Sequence, residues 1–220
     1  MIKTVGLLQR REGLDATGFR EHYEQKHAPL ARELLGFPGY QRNYPESDRA
    51  RRGLGLDAFS EFWFRDAAEI ERIGNLMQGS VGDRFREDEF RFMNPPANQS
   101  FEVSERQHGR RPAPGSAIRA IAINTLPAGI GLGGDGQGID SESARVRERE
   151  IPGVVASLYS VPVRSVKAGP AGAAVVGCIE SFWLAGRETL DECNGWRDRS
   201  GVAALWVVEE VGTPIRFGPS

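Results

Sequence analysis

Two of the three histidines in this 220-residue chain lie in the stretch HYEQKHAPLARELLGF, which begins at His22. A helix that begins near Ala16 would carry an apolar stripe with the period of a buried helical face. The stripe consists of Phe19, Tyr23, His27, Leu30 and Leu34. Pro29 predicts a kink or a restart of the helix beside His27, because proline has no backbone N–H. We therefore expect His27 to point toward the sheet and His22 to lie to one side of the stripe.

An inward-pointing imidazole at His27 has two interpretations. It could be a structural histidine that bonds a carbonyl freed at Pro29, or it could be a general acid or base, since imidazole titrates near neutral pH. In the second half of the chain, the comparable segment ESARVREREIPG keeps the PG turn but lacks both the histidine and the proline. A structural histidine would tend to persist with its scaffold, so this comparison favours a functional role.

Glu61 is the second candidate for chemistry. In the strand AFSEFWF it shares one face with Trp63 and is flanked by aromatic residues. A buried carboxylate needs a partner, which Arg42 or Arg65 could provide as an ion pair. Glu61 could instead orient His27 or act as a base with a raised pKa.

The residues after the first PG turn could bind an oxygen atom of a ligand. Tyr40 and Asn43, in GYQRNYPE, would supply a hydroxyl and an amide for this purpose. If the apolar stripes of helix and strand face one cavity, its walls would also include aromatic side chains. These are Phe19, Tyr23, Trp63 and Phe64.

The two halves of the chain resemble each other. DAFSEFWFRDAAEIERI (57–73) matches GCIESFWLAGRETLDEC (177–193), with five apolar positions at one constant offset. Each half reads βαββαβ, the order of a ferredoxin-like unit. We therefore expect an α+β chain with a site-bearing domain at 1–108, a linker at 109–116 and a degenerate domain at 117–220. The predicted elements include strands Ile2–Gln9, Ser100–Gln107, Ile118–Leu126 and Ala203–Val211, helices Asp66–Met77 and Arg187–Trp196, and a short helix with a Pro-rich turn within Gly82–Ser100.

Composition excludes several classes of partner. With 28 basic and 30 acidic residues, the chain has a net charge of −2, unlike a typical nucleic-acid binder. It has no apolar stretch long enough to span a membrane and no signal-peptide pattern, so we expect a cytoplasmic protein. Cys178 and Cys193 are expected to be reduced, buried thiols.

Two motifs that could indicate a cofactor or metal are weak. GIGLGGDGQG (129–138) contains a G-x-G-x-x-G pattern, but a short charged helix follows it, so a lengthened loop is the better interpretation. His22 and His27 are five residues apart, the wrong interval for two metal ligands on one α-helical face. We expect no metal and no cofactor, although a single buried histidine would suffice as an axial haem ligand.

FREHYEQKHAPLAR, PGYQRNY and AFSEFWF together resemble the EthD family, which belongs to the dimeric α+β barrel superfamily. The resemblance covers nearly all of residues 1–107. It implies that two ferredoxin-like sheets pair into a barrel, here a pseudo-dimer fused into one polypeptide. It also implies a single site in the first half, because the second half lacks the histidine.

The family resemblance implies an enzyme that acts on an aromatic small molecule. Related proteins include dehydratases and cyclases of aromatic polyketides and cofactor-free monooxygenases. We expect a cofactor-independent lyase or cyclase with His27 as general acid/base, assisted by Glu61. The alternatives are a cofactor-free monooxygenase of a phenolic substrate and a non-catalytic binding or stress protein. A homodimer of fused chains is compatible with each of these functions.

Overall fold

The computed structural model describes residues 1–46, 54–113, 116–125, 153–171, 173, 175–187 and 204–213. The strands are β1 (Ile2–Leu8), β2 (Gly39–Pro45), β3 (Ala58–Phe64), β4 (Gln99–His108), β5 (Ile118–Thr125), β6 (Val154–Lys167), β7 (Val176–Leu184) and β8 (Ala204–Thr213). The helices are α1 (Ala16–His22), α2 (Ala28–Leu35), α3 (Ala67–Leu76) and α4 (Ser80–Phe92). A π-helical turn, Tyr23–His27, joins α1 to α2, and a short 3₁₀ turn follows α4 at Pro95–Ala97.

The strands form a closed antiparallel barrel in the order β1-β3-β2-β8-β5-β7-β6-β4. The strands of the first half are neighbours in the order β4-β1-β3-β2, and those of the second half in the order β6-β7-β5-β8. The halves meet at two seams, β2 with β8 and β4 with β6. The predicted mixed α/β class and the barrel are therefore confirmed, and one chain closes the barrel by itself.

Strand alternation divides the barrel wall into an inner and an outer face. On β3, Phe59 belongs to an inner apolar cluster together with Val5 of β1 and Ile121 of β5. The next residue, Ser60, faces the helices, because its Oγ lies 2.8 Å from the hydroxyl of Tyr23. The molecule thus has two separate buried regions, the barrel interior and a helix–sheet layer outside it.

The segment around Pro29 forms a π turn rather than a simple kink. The side chain of Asp15 caps the start of α1 by accepting from the Gly18 N–H at 2.7 Å. The N–H of Ala28 bonds back to the carbonyl of Tyr23, five residues earlier. Pro29 then occupies the first turn of α2, where a missing N–H costs little. The helical segment therefore continues through His27, with one widened turn.

The insertion between α3 and β4 forms a 13-residue helix, α4, where the sequence predicted only a short one. Its inward face contributes Phe85, Asp88 and Phe92. A Cβ added at Gly82 would lie 2.0 Å from the carbonyl oxygen of Met77, so glycine allows α4 to start against the end of α3. The predicted Pro-rich turn is present as the 3₁₀ turn.

Some predictions lie outside the described residues. They include most of the helix Arg187–Trp196, the glycine-rich loop 129–138 and Cys193. Cys178 is buried on β7, as expected. No helix in the described part of the chain is long and apolar enough to cross a membrane.

The seam between β2 and β8 generates a prediction about stability. Gly212 has φ +121, and a Cβ there would lie 2.4 Å from the backbone oxygen of Tyr40. Neither the backbone conformation nor the contact can relax cheaply, so we expect Gly212→Ala to lower the free energy of unfolding by about 2 kcal/mol or more. Thermal melting would measure this. Gly74→Ala on α3, where a Cβ meets nothing within 4 Å, is the control and should be neutral or stabilising. Equal melting temperatures for the two variants would contradict the prediction.

Candidate functional site

The centre of the helix–sheet layer is a carboxylate held by two imidazoles. Asp88 Oδ2 lies 2.9 Å from His27 Nδ1, and Asp88 Oδ1 lies 2.9 Å from His22 Nε2. Burial raises the pKa of Asp88, but the hydrogen bonds from His27 and His22 outweigh burial and hold the pKa below its ordinary value. The ionised carboxylate accepts, so both rings must donate. For neutral His27 this network assigns the proton to Nδ1 and leaves a basic lone pair on Nε2.

His27 lies among aromatic rings. Its ring centroid is 5.3 Å from that of Tyr23, 4.5 Å from that of Phe85 and 4.9 Å from that of Phe92. Only 3% of the residue is exposed. Within the described part of the chain, His27 makes one hydrogen bond, through Nδ1 to Asp88. Nε2 has no hydrogen bond to these described residues, so Nδ1 is the ring nitrogen whose role the protein fixes.

A chain of hydroxyl groups runs beside the histidine. The Tyr40 hydroxyl donates to the Tyr23 hydroxyl at 2.8 Å, and the Tyr23 hydroxyl shares a second hydrogen bond with Ser60 Oγ, also at 2.8 Å, in which either hydroxyl can donate. Burial raises the pKa of Tyr23 to about 12 despite those two hydrogen bonds, and burial raises the pKa of Tyr40 well above its ordinary value. Both phenols stay protonated at neutral pH. Three hydroxyl hydrogens serve two bonds, so one hydrogen, that of Ser60 or of Tyr23, is not used within the chain.

A second ion pair anchors the tyrosines from the other side. The guanidinium of Arg42 stacks on the Tyr40 ring at 4.7 Å and donates through Nε to Glu24 Oε1 at 3.0 Å. Tyr44 donates to the same oxygen at 2.6 Å. Burial raises the pKa of Glu24, but the bonds from Arg42 and Tyr44 lower it further than burial raises it. The prediction that Arg42 or Arg65 could pair with Glu61 is thus wrong, because Arg42 pairs with Glu24 and Arg65 pairs with Glu69.

Glu61 lies inside the barrel, on the opposite face of the sheet from His27. Its carboxylate accepts from Lys3 Nζ at 2.7 Å, Arg119 Nη1 at 2.7 Å and Asn43 Nδ2 at 2.9 Å. Burial raises its pKa, but Arg119 and Lys3 outweigh burial and hold the pKa well below its ordinary value. Glu61 is therefore an ionised partner of two cations. It neither orients His27 nor has the raised pKa of a base.

The predicted site residues therefore separate into two groups. The helix–sheet layer holds His27, Tyr23, Tyr40 and Phe19, the last with its ring centroid 5.8 Å from that of Tyr23. The barrel interior holds Glu61, Asn43 and Trp63, the last beneath Lys3 at 4.9 Å. Phe64 packs on Phe37 at 5.7 Å, on the outer face but away from His27. Asn43 and Trp63 thus cannot line a pocket at His27, because the sheet lies between them.

Asp88, Phe85, Phe92 and Ser60 were missed by sequence reasoning. Three of them come from α4, which was interpreted as a short helix of the insertion. Phe85, Asp88 and Phe92 are spaced at i, i+3 and i+7, which is the pattern of one buried helical face. An acid at the centre of that pattern, in an insertion restricted to the histidine-bearing half, was the available signal.

Comparison with solved structures shows that the fold is shared with another protein. Over 100% of this chain and 96% of the other, the structure resembles an anthrone oxidase-like protein, at 9% identity and TM-score 0.56, so the two share a fold. Weaker similarity extends to a chlorite dismutase mutant from Candidatus Nitrospira defluvii, at 9% identity and TM-score 0.44, over 94% of this chain and 91% of that one. An ethyl tert-butyl ether D (EthD) family protein from Bacillus halodurans matches 42% of this chain and 88% of its own, at 20% identity and TM-score 0.33.

The family comparison matches the first half of the chain. Residues 11–96 match the model of the EthD domain, which confirms the predicted resemblance over that segment. The matched segment includes His22, His27, the hydroxyl chain and α4. The comparison with curated proteins found no match.

The two-imidazole carboxylate predicts a pH-dependent stability. In Asp88→Asn, the side chain keeps one oxygen acceptor and gains an NH₂ group, so one of the two imidazole N–H groups loses its acceptor. Because the pKa of Asp88 is lowered by folding, its carboxylate stabilises the fold above its unfolded-state pKa, near ~4, and loses that contribution as the pH falls through the lower folded-state pKa. We expect Asp88→Asn to melt lower than wild type at pH 7, with the difference narrowing below about pH 4. Asp83→Asn, on the exposed face of α4, is the control and should change little; matching curves for both variants would contradict the assignment.

The barrel interior predicts a large cost for removing Glu61. Glu61→Gln removes the carboxylate that the buried cations Lys3 and Arg119 share. Lys3 keeps Glu105 and Arg119 keeps Glu210 as a second partner, so we expect a loss of about 1.5–3 kcal/mol in the free energy of unfolding. Denaturant unfolding at pH 7 measures it. The control is Glu209→Gln, which breaks the exposed pair with Arg20 and should have a small effect. A small effect at Glu61 would show that the interior network is not needed for stability.

Proposed function

We propose that this protein is a cofactor-independent enzyme in which His27 Nε2 is the general base toward an aromatic or polyketide-like small molecule. The observation that carries this proposal is the Asp88–His27 pair within an aromatic layer. Asp88 fixes the ring and its tautomer, and it stabilises the imidazolium that forms when Nε2 accepts a proton. A merely structural histidine would not require a second, ionised residue on an inserted helix.

The favoured reaction is dehydration or ring closure. His27 Nε2 would take a proton from a carbon next to a carbonyl group, and the electron pair left behind would form the enolate. In a dehydration, the enolate expels a β-hydroxyl group as the C=C bond forms, and the imidazolium returns its proton to that oxygen, giving water. In a ring closure, the same carbanion would attack a second carbonyl carbon, the π electrons of that C=O bond would move to its oxygen, and the imidazolium would protonate the resulting alkoxide. Neither sequence requires an oxidant or a metal.

The surroundings support an aromatic substrate with oxygen substituents. Phe85, Phe92 and Tyr23 surround the histidine ring and would offer apolar faces to a planar ring. The hydroxyl chain that ends at Ser60 offers a donor for a substrate carbonyl oxygen. This chain takes the role that the sequence had assigned to Tyr40 with Asn43, since Asn43 lies inside the barrel.

Cofactor-free oxygenation is the second candidate. Its first step is the same proton removal, here from a phenol or an activated carbon. A carbon of the resulting electron-rich anion would then form a bond to one atom of O₂ as the O=O π bond breaks, and the imidazolium would protonate the other oxygen to give a hydroperoxide. The fold shared with an anthrone oxidase-like protein favours it. Oxygen uptake during turnover separates this reaction from the lyase or cyclase. Binding without turnover, at an affinity unaffected by changes at His27, would indicate the non-catalytic alternative.

We also propose that the barrel is a fused pair of ferredoxin-like units. Corresponding contacts in the two halves support this: Lys3 lies over Trp63 at 4.9 Å, and Arg119 lies over Trp183 at 5.2 Å. Each pair joins the first strand of a half to its third, Lys3 opposite Trp63 and Arg119 opposite Trp183. Because one chain already closes the barrel, a homodimer of fused chains would use an outer surface.

The test is to replace His27 by asparagine. The Asn side-chain amide can keep the hydrogen bond to Asp88 that His27 Nδ1 makes, but it has no base at the position of Nε2. With a panel of hydroxylated aromatic ketones in D₂O, we expect wild type to catalyse deuterium exchange or loss of water, and His27→Asn to reduce the rate about 10²–10⁴-fold. His108→Asn, at the third histidine, is the control and should retain activity. Comparable rates for wild type and His27→Asn would overturn the proposal.

A further inference from the structure

His22 and His27 both bond Asp88, which two residues five apart on a regular α-helix would not be placed to do. In an α-helix, five residues turn through about 500°, which places such side chains about 140° apart. The π turn at Tyr23–His27 lengthens the hydrogen-bonded ring by one residue and brings both imidazoles to Asp88. Widened turns of this kind are frequent at functional sites. Here the turn gives one carboxylate two imidazole partners.

The second imidazole is held as firmly as the first. The ring of His22 stacks on Phe92, with centroids 4.7 Å apart and planes 14° apart, and Phe92 also contacts His27. The His22 side chain is 17% exposed and that of His27 3%. His22 is therefore the more exposed of the two rings that Asp88 joins.

The two rings compete for one negative charge. Each oxygen of Asp88 accepts one N–H, so neither ring receives the whole charge of the carboxylate. Protonation of either ring disfavours protonation of the other, since two imidazolium ions would share a single counter-charge. His22 thus limits how strongly Asp88 can favour the imidazolium form of His27.

We propose that His22 is a positioning residue for the base: its Nε2–H fixes Asp88 so that the second oxygen meets His27 Nδ1, and its share of the carboxylate charge keeps His27 Nε2 able to accept a proton. The part concerning proton acceptance from a substrate rests on the proposed function. The geometric coupling of the three residues does not, so the two can be tested separately.

Other charged groups face this cluster and are unchanged in the variants below. These groups are Glu89 and Arg86 on α4 and Lys167 at the end of β6, and burial raises the pKa of Glu89. Strands β3 and β2 contribute neutral hydroxyl groups, from Ser60 and Tyr40 respectively. A difference between variants at His22 therefore reports on the imidazole–carboxylate contacts.

The experiment compares His22→Phe with His22→Gln in the full chain without ligand. Phenylalanine keeps the stacking on Phe92 and removes the donor, whereas the glutamine amide can keep a donor near the position of Nε2. Imidazole NMR titration then follows His27. We expect its titration midpoint to move to higher pH in His22→Phe, with exchange between tautomers, and to remain closer to wild type with the Nδ1–H tautomer in His22→Gln. Unchanged His27 titration in both variants would overturn the proposal.

Wild type supplies a measurement that does not depend on a variant folding. If the rings share one carboxylate, proton NMR of the imidazoles should show hydrogen-bonded N–H signals for both His22 Nε2 and His27 Nδ1. Absence of either signal would overturn the coupling. Both signals together with an active His27→Asn variant would refute the proposed function and leave the positioning role intact.

Discussion

Neutralisation of the buried Glu61 carboxylate is the constraint on which the closed barrel depends. Glu61 is completely buried and receives one cation from each half of the chain, Lys3 from β1 and Arg119 from β5. A carboxylate without these partners would carry a desolvation cost of several kcal/mol. Arg119 in turn bonds Asn43, Ser181 and Glu210, so the network crosses from one half to the other. Glu61 thus has one counter-charge from its own half and one from the other, which links the two halves through the barrel interior.

Successive side chains of β3 point to opposite faces of the sheet, so neighbouring residues belong to different buried regions. Glu61 and Trp63 point into the barrel and belong to the ion network, whereas Ser60 points outward to Tyr23. A carboxylate inside and a hydroxyl outside are thus adjacent in sequence but separated by the sheet. The barrel interior supplies rigidity, and the helix–sheet layer supplies groups that can meet a ligand.

The outer layer is completed by two features that regular secondary structure does not provide. One is the π turn, which aligns His22 with His27, and the other is α4, which brings Asp88 between them. The π turn and α4 depend on each other. The two imidazoles share Asp88 as their acceptor, and their hydrogen bonds lower the pKa of Asp88. Glycine at position 82 makes the packing of α4 against the end of α3 sterically feasible. The arrangement gives a buried ring a fixed tautomer and an unused nitrogen.

The sequence by itself determined the succession of strands along the chain and the resemblance to EthD domains. It also determined the alternation of side chains along β3 and the burial of His27. These features follow from local periodicity and from motifs contiguous in the chain. It also indicated correctly that Tyr23 and Tyr40 lie with His27. Only the tertiary structure decided the partners of the buried charges. Arg119, 58 residues from Glu61, and Asp88, 61 residues from His27, reach them through barrel closure and helix packing, respectively, and neither is encoded by local spacing. The π turn was likewise beyond sequence reasoning, since a period of 3.6 residues was assumed and Pro29 suggested a break, whereas the helical segment continues through one widened turn and both histidines contact Asp88 of α4.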